Sequence, residues 1–192
     1  MFNFKGFLTQ DKNTHLEHLE DDIINRGAAG GDNAINFLKA VRNMLAGSGQ
    51  GTNMTVKWDG APAIICGINP ENGKFFVGTK SVFNVNPKIN YTVSDIRRNH
   101  GGVVAQKLEV CLANLKRLNI KGILQGDLLF TNDLKAITID GEKMISFTPN
   151  TITYAVPQNS NIGRRIARAK MGIVFHTQYN GKKMDSLSAS FG

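Results

Sequence analysis

The sequence predicts an α+β fold, with mixed or antiparallel sheets behind an N-terminal helical segment. Three observations carry that expectation. The first fifty residues place apolar side chains at helical spacing: Leu16, Leu19, Ile23 and Ile24 on one face, then Ile35, Leu38, Val41 and Leu45 on another. From Thr55 onward, short apolar runs bounded by turn residues replace that period. Asp140-Gly141 sits between two β-like runs in ITIDGEKMISF, the pattern of a two-residue hairpin.

Taken in order, Thr14 and Glu17 fit a capping box that starts the first helix, and Gly27 stops it. Gly30-Gly31-Asp32-Asn33 is expected to separate it from a second helix, which Gly47 ends. GSGQGTN, residues 47–53, reads as a short connector. TVKWDG (55–60) begins the strands, followed by an apolar run at 63–66, a turn at 69–73 and a returning strand at 75–79. A third helix is expected over 101–118, with Val104, Leu108, Cys111, Leu112 and Leu115 inward. GILQGDLLF (122–130) reads as a buried strand and TITYAV (151–156) as another. A short basic helix over 160–170 precedes a last strand at 171–179. Residues 1–50 are thus expected to form a helical segment packed on a core of residues 51–192.

Composition excludes several classes. A chain of 192 residues with 41% hydrophobic and 20% charged residues is not a disordered one. Two cysteines, Cys66 and Cys111, make no disulfide framework. The N-terminal MFNFKGFLTQDKNTH lacks the basic start and apolar run of a signal peptide, and no stretch approaches the ~18 apolar residues of a membrane span. A reduced, cytoplasmic protein without a membrane partner is expected. The net charge of +8 is uneven: −1 over residues 1–50, +4 over 51–159 and +5 over 160–192. A basic C-terminal third suits phosphates of nucleotides or nucleic acid, and it equally suits a soluble surface.

The residues that carry chemistry are Lys57-Trp58-Asp59-Gly60. In a strand, positions 57 and 59 share a face, so a lysine and a carboxylate are presented together before a glycine that lets backbone approach a ligand. A lysine becomes a nucleophile when burial or neighbouring charge lowers its pKa, and a carboxylate can orient it or hold a metal. A surface Lys–Asp pair before a turn would give the same four residues. Trp58 would face the opposite side, into the core. His15 and His18, near Glu17, Glu20, Asp21 and Asp22, form either a metal site or a solvated helix face.

Five segments, in order, resemble the nucleotidyltransferase domain shared by ATP-dependent DNA ligases, RNA ligases and mRNA capping enzymes. KWDG (57–60) is similar to the Lys-x-Asp-Gly nucleophile motif. GTKS (78–81) is similar to the next strand, where RNA ligases place a basic residue. QGDLLF (125–130) is similar to the Gly-Glu-Leu motif, with Asp127 as the acid. SFTPNTITYAV (146–156) falls where a family aromatic stacks on the purine, and GIVFHT (172–177) resembles the Glu-Gly-Ile-Val strand beside the phosphate. The whole chain, including NTHLEHLED (13–21), also resembles a ligase-like protein of tailed marine phages. Two departures stand out. Met171 occupies the position of the family's metal-binding glutamate, and Ala61-Pro62 follows Gly60 where many relatives carry a polar residue or arginine. The family's last motif, a strand with two lysines, has Lys182 and Lys183 as its candidates, the alternative being a chain that ends before it.

The resemblance implies an ATP-grasp-like ligase adenylation domain that uses ATP and magnesium. Lys57 would be the nucleophile, with Asp59 orienting it or reaching metal. Val56, Gly60, Lys80, Phe147, Lys182 and Lys183 would contact the nucleotide, Phe147 being preferred over Tyr154 for base stacking. Asp127 would bind metal or a ribose hydroxyl, and Arg164, Arg165 and Arg168 the phosphates of a nucleic-acid end. The activity implied is RNA-ligase-like sealing of 5′-phosphate and 3′-hydroxyl ends through a lysyl-AMP. A phage protein of host cytoplasm that lost catalysis, kept as a nucleic-acid binder or virion component, is the alternative.

Overall fold

A computed structural model describes residues 19–48 and 58–191 of the chain. It divides into two compact units, residues 1–57 and 58–192. The expected cap at Thr14, the His15–His18 pair, Val56 and Lys57 lie outside the described residues.

In the first unit, α1 (Leu19–Arg26) and α2 (Ala28–Leu45) are helices with Gly27 between them, at φ 58. The break therefore falls at Gly27, and helix α2 runs through the Gly-Gly-Asp-Asn stretch expected to interrupt it. Close approach is the reason. A Cβ on Gly30 would collide with the Asp22 carbonyl of α1, so the glycine serves helix–helix contact rather than a turn. Asp22 also accepts from Asn33 Nδ2 at 3.1 Å.

The second unit is built on two antiparallel sheets. Strands β1 (Ala63–Ile68), β2 (Phe75–Gly78), β3 (Ile123–Phe130), β7 (Gly172–Asn180) and β8 (Ser188–Phe191) form one, in the order β2-β1-β3-β7-β8. Strands β4 (Lys135–Ile139), β5 (Glu142–Phe147) and β6 (Tyr154–Pro157) form the other. Among the described residues every strand pairing is antiparallel. The β4–β5 turn is the expected one: Ile139 pairs with Glu142, and Asp140 and Gly141 both take positive φ.

Helices α3 (Val93–Asn99) and α4 (Gly102–Leu115) cover one face of the larger sheet. Ile96, Leu108, Cys111, Leu112 and Leu115 pack there against Ile64, Cys66, Val77 and Leu128. Alternation sends Ile65 and Ile123 to the other face, with Phe76, Val82, Tyr179, Met184 and Leu187. A third cluster, Leu129, Phe130 and Phe147, joins the larger sheet to the smaller one and to α5 (Asn161–Arg168). Helix α3 and strand β8 are elements that the periodicity did not reveal. The segment 58–60 carries no regular structure, so Trp58 and Asp59 do not alternate as strand residues.

Candidate functional site

Asp59, Gly60 and Asp127 meet at one end of the larger sheet. Ala63 pairs with Asp127 across β1 and β3. Upstream of it, the Ala61 amide donates to the Leu128 carbonyl at 3.0 Å, and the Leu128 amide to the Pro62 carbonyl at 3.2 Å. The lead-in to β1 is thereby tied to β3. Gly60 lies so close that a Cβ there would stand 2.7 Å from the Leu128 carbonyl oxygen and 2.9 Å from Asp127 Cβ. Only glycine fits this approach without displacing the strand.

Asp59 is held from both ends of its backbone. Its amide donates to the Tyr154 hydroxyl at 3.0 Å, and that hydroxyl donates to the Asp59 carbonyl at 3.3 Å. Asn150 Nδ2 donates to Asp59 Oδ2 at 3.1 Å. The second sheet thus supplies the clamp for the aspartate, because β6 carries Tyr154 and the loop before it carries Asn150.

Asp127 has a partner from β7 that motif comparison did not single out. Gln125 pairs with Thr177 but Gly126 with Phe175, so His176 is the extra residue of a β-bulge. The bulge aims it at Asp127, with Nε2 3.6 Å from Oδ1 and the side chains 17% and 13% exposed. His176 Nδ1 lies 2.8 Å from Thr177 Oγ1. A two-to-one register is invisible in a sequence read at strict period two, which is why GIVFHT yielded no role for the histidine.

The aromatic residues form a ladder from core to surface. Phe130 contacts Phe147 at 5.0 Å, Phe147 stacks on Tyr154 at 5.4 Å, and Tyr154 contacts Trp58 at 5.0 Å. Phe147, expected to stack on a base, is 3% exposed and lies between two other rings. Trp58, expected in the core, is 38% exposed. The accessible ring is therefore Trp58, and burial of Phe147 leaves no face for a ligand.

Lys80 is exposed at the start of a 3₁₀ turn after β2. Ile65 pairs with Gly78, so the chain beyond Gly78 runs level with Ala63, at the Asp127 end of the sheet. Lys182 and Lys183 are elsewhere. They lie in the β7–β8 turn, where the neighbouring Met184 amide donates to Glu71 of the β1–β2 turn at 3.1 Å. That is the opposite end of the sheet, about 17 Å away at ~3.3 Å per strand residue. These lysines do not join Asp59 and Asp127. Met171 packs against the cluster beneath α3 and α4. Among the described residues, no group of three or more His, Cys, Asp or Glu side chains could hold a metal. The Asp59 carboxylate is engaged by Asn150 and that of Asp127 lies beside His176, so each has a side-chain neighbour of its own.

Arg164, Arg165 and Arg168 are exposed on α5 and, with Asn161, line a shallow depression of about 390 Å³. Spacings of three and four put them on one helix side. Arg164 is anchored by the Asn159 carbonyl and by Asn161 Oδ1. Gly163 and Ile166 turn inward, Gly163 against the Pro157 carbonyl and Ile166 toward the aromatic cluster.

Against known families, residues 13–192 match the model described as a family of unknown function, DUF6267. No curated protein and no solved structure matches the chain.

Proposed function

The chain belongs to that family of unknown function, DUF6267, and we propose that it is an ATP-dependent nucleotidyltransferase of the polynucleotide-ligase type. The observation that carries this reading is the contact of Gly60 with Asp127. Two segments far apart in sequence, each resembling a ligase motif, meet with a carboxylate from each. Tyr154 and Asn150 fix the Asp59 side, and Trp58 offers an exposed ring for a base.

In this reading Lys57 Nζ attacks the α-phosphorus of ATP. The bond to the pyrophosphate oxygen breaks, pyrophosphate leaves with the electron pair, and the amine proton passes to solvent. A 5′-phosphate oxygen of a polynucleotide then displaces Lys57 from AMP. A 3′-hydroxyl attacks that 5′-phosphate and releases AMP as the ends join. Asp59 and Asp127 would hold magnesium, which offsets phosphate charge. Arg164, Arg165 and Arg168 would contact the polynucleotide phosphates.

Two observations favour a second reading, a binding protein without turnover: Met171 is committed to packing, and Lys182 and Lys183 lie at the far end of the sheet. Intact-protein mass after incubation with ATP and magnesium separates the two. The ligase reading expects a gain of one AMP, lost in Lys57→Ala with folding retained. An unchanged mass with several divalent metals, together with retained nucleic-acid binding, selects the second.

A further inference from the structure

We propose that the end of the larger sheet remote from Asp59 and Asp127 is a docking surface for the phosphates of a nucleic-acid strand, centred on Lys74, Lys116 and Lys121. Three turns converge at that end. They are the β1–β2 turn, the segment from α4 into β3, and the β7–β8 turn. Together they carry Lys74, Lys116, Arg117, Lys121, Lys182 and Lys183, all exposed, against two carboxylates, Glu71 and Asp185. Glu71 is engaged by the Met184 amide. No described carboxylate forms an ion pair with Lys74, Lys116 or Lys121.

The three lysines line one hollow of about 720 Å³ to which no acidic side chain contributes. Its apolar wall includes Phe75, Tyr91 and Ile120. The hollow is preformed. The Tyr91 hydroxyl accepts from Asn69 Nδ2 at 2.7 Å and Asn72 Nδ2 at 2.9 Å, which locks the ring to the β1–β2 turn. Asn119 at φ 51 and Gly122 at φ 80 turn the chain so that Lys116 and Lys121 face the same space.

This chemistry selects a polyanion with flat apolar groups. Ammonium groups are point charges suited to phosphate, and aromatic side chains beside them suit bases stacked along a single strand. A membrane surface needs apolar groups that project, whereas here they sit within a concavity. The hollow at β1 and the β7–β8 lysines are two to three strand spacings apart, about 10–14 Å, the reach of a few nucleotides. A strand can therefore span both. The inference does not depend on adenylylation at Lys57, because binding is read without ATP.

The test uses the full chain and a fluorescein-labelled single-stranded 20-mer, as RNA and as DNA, with anisotropy read across a salt series. The wild type should bind, and Lys74→Gln/Lys116→Gln/Lys121→Gln should weaken binding by at least about tenfold. The slope of log affinity against log salt should fall by about 2, as expected for three lost contacts on a single strand. Adding Lys182→Gln and Lys183→Gln should weaken it further. A control with the same charge change at exposed Lys39, Lys135 and Lys143 should change affinity less than about twofold, and thermal melting should confirm folding of each variant. The proposal is overturned by a control that loses as much as the hollow variant, by an unchanged hollow variant, by a wild type that does not bind at low salt, or by preference for phosphatidylserine vesicles over the oligonucleotide.

Discussion

Trp58 and Phe147 show how one aromatic ladder can hold two rings in opposite environments. Both contact Tyr154, but one end is wet and the other sealed. Phe147→Ala should cost about 3–5 kcal/mol in a urea titration, because it opens a cavity beside Phe130. Trp58→Ala should cost less than about 1 kcal/mol, because a half-exposed ring gives up little packing. In the nucleotidyltransferase reading the same change weakens ATP binding by about 1–3 kcal/mol, the range for base stacking. Trp58 is the chain's single tryptophan, so its emission reports directly. ATP should quench it, and emission that stays constant through saturation would place the base elsewhere. The sequence singled out the two segments that meet at Gly60 and Asp127, because a carboxylate beside a glycine is a local pattern. Which aromatic reaches solvent was not legible. That depends on how the second sheet packs on the first, and strand alternation gives Phe147 a face without saying what covers it. His176 was hidden for a related reason, since a bulge shifts register without leaving a local mark.

At the scale of elements, α3 is specified by its cap more than by its apolar spacing. The Asp95 amide donates to Thr92 Oγ1 at 3.1 Å, and Asp95 Oδ2 accepts from the Thr92 amide at 3.0 Å, which closes a capping box. Seven residues with one buried apolar side chain, Ile96, leave too little period to read. The Thr92-Val-Ser-Asp95 spacing was the available signal. Arg97 then ties α3 to Glu109 of α4 at 2.8 Å. The Thr92 hydroxyl, followed by Arg98 and the Tyr91 and Thr92 amides, holds the Asp95 carboxyl below its usual 3.8. A folded-state pKa that is lowered gives stability above the unfolded value and loses it as pH falls through the folded one. Thr92→Ala should therefore cost about 1 kcal/mol near pH 7. The gap to wild type should narrow as pH drops below 3.8, since protonated Asp95 no longer rewards the hydroxyl in either protein. A gap that widens in acid would show that the carboxyl takes no part in the cap.

At the scale of the whole molecule, the two cysteines report on the buried layer of the larger sheet. Cys66 on β1 and Cys111 on α4 are both free and fully buried in the layer between the larger sheet and its helices. Burial pushes both thiols up to about 12, from an ordinary 9.0. A thiol is reactive as thiolate, so the native protein should ignore a disulfide reagent at pH 8, while both thiols react in concentrated guanidinium. The sign of the pH effect follows from the same shift. A raised folded-state value gives stability fully present below pH 9.0, lost progressively as pH rises toward 12, because the unfolded chain ionises first. Stability should thus fall more steeply above pH 9.0 in the wild type than in Cys66→Ala/Cys111→Ala, measured as urea midpoints. Partial denaturation adds a finer reading. The two residues sit on opposite walls of one packed layer, so lifting α4 off the sheet would uncover Cys66 together with Cys111. Equal labelling rates at every denaturant concentration are expected if sheet and helices separate as one cooperative unit. Faster labelling of Cys111 would instead show α4 distorting locally around Cys111 while the side chains that cover Cys66 stay in place.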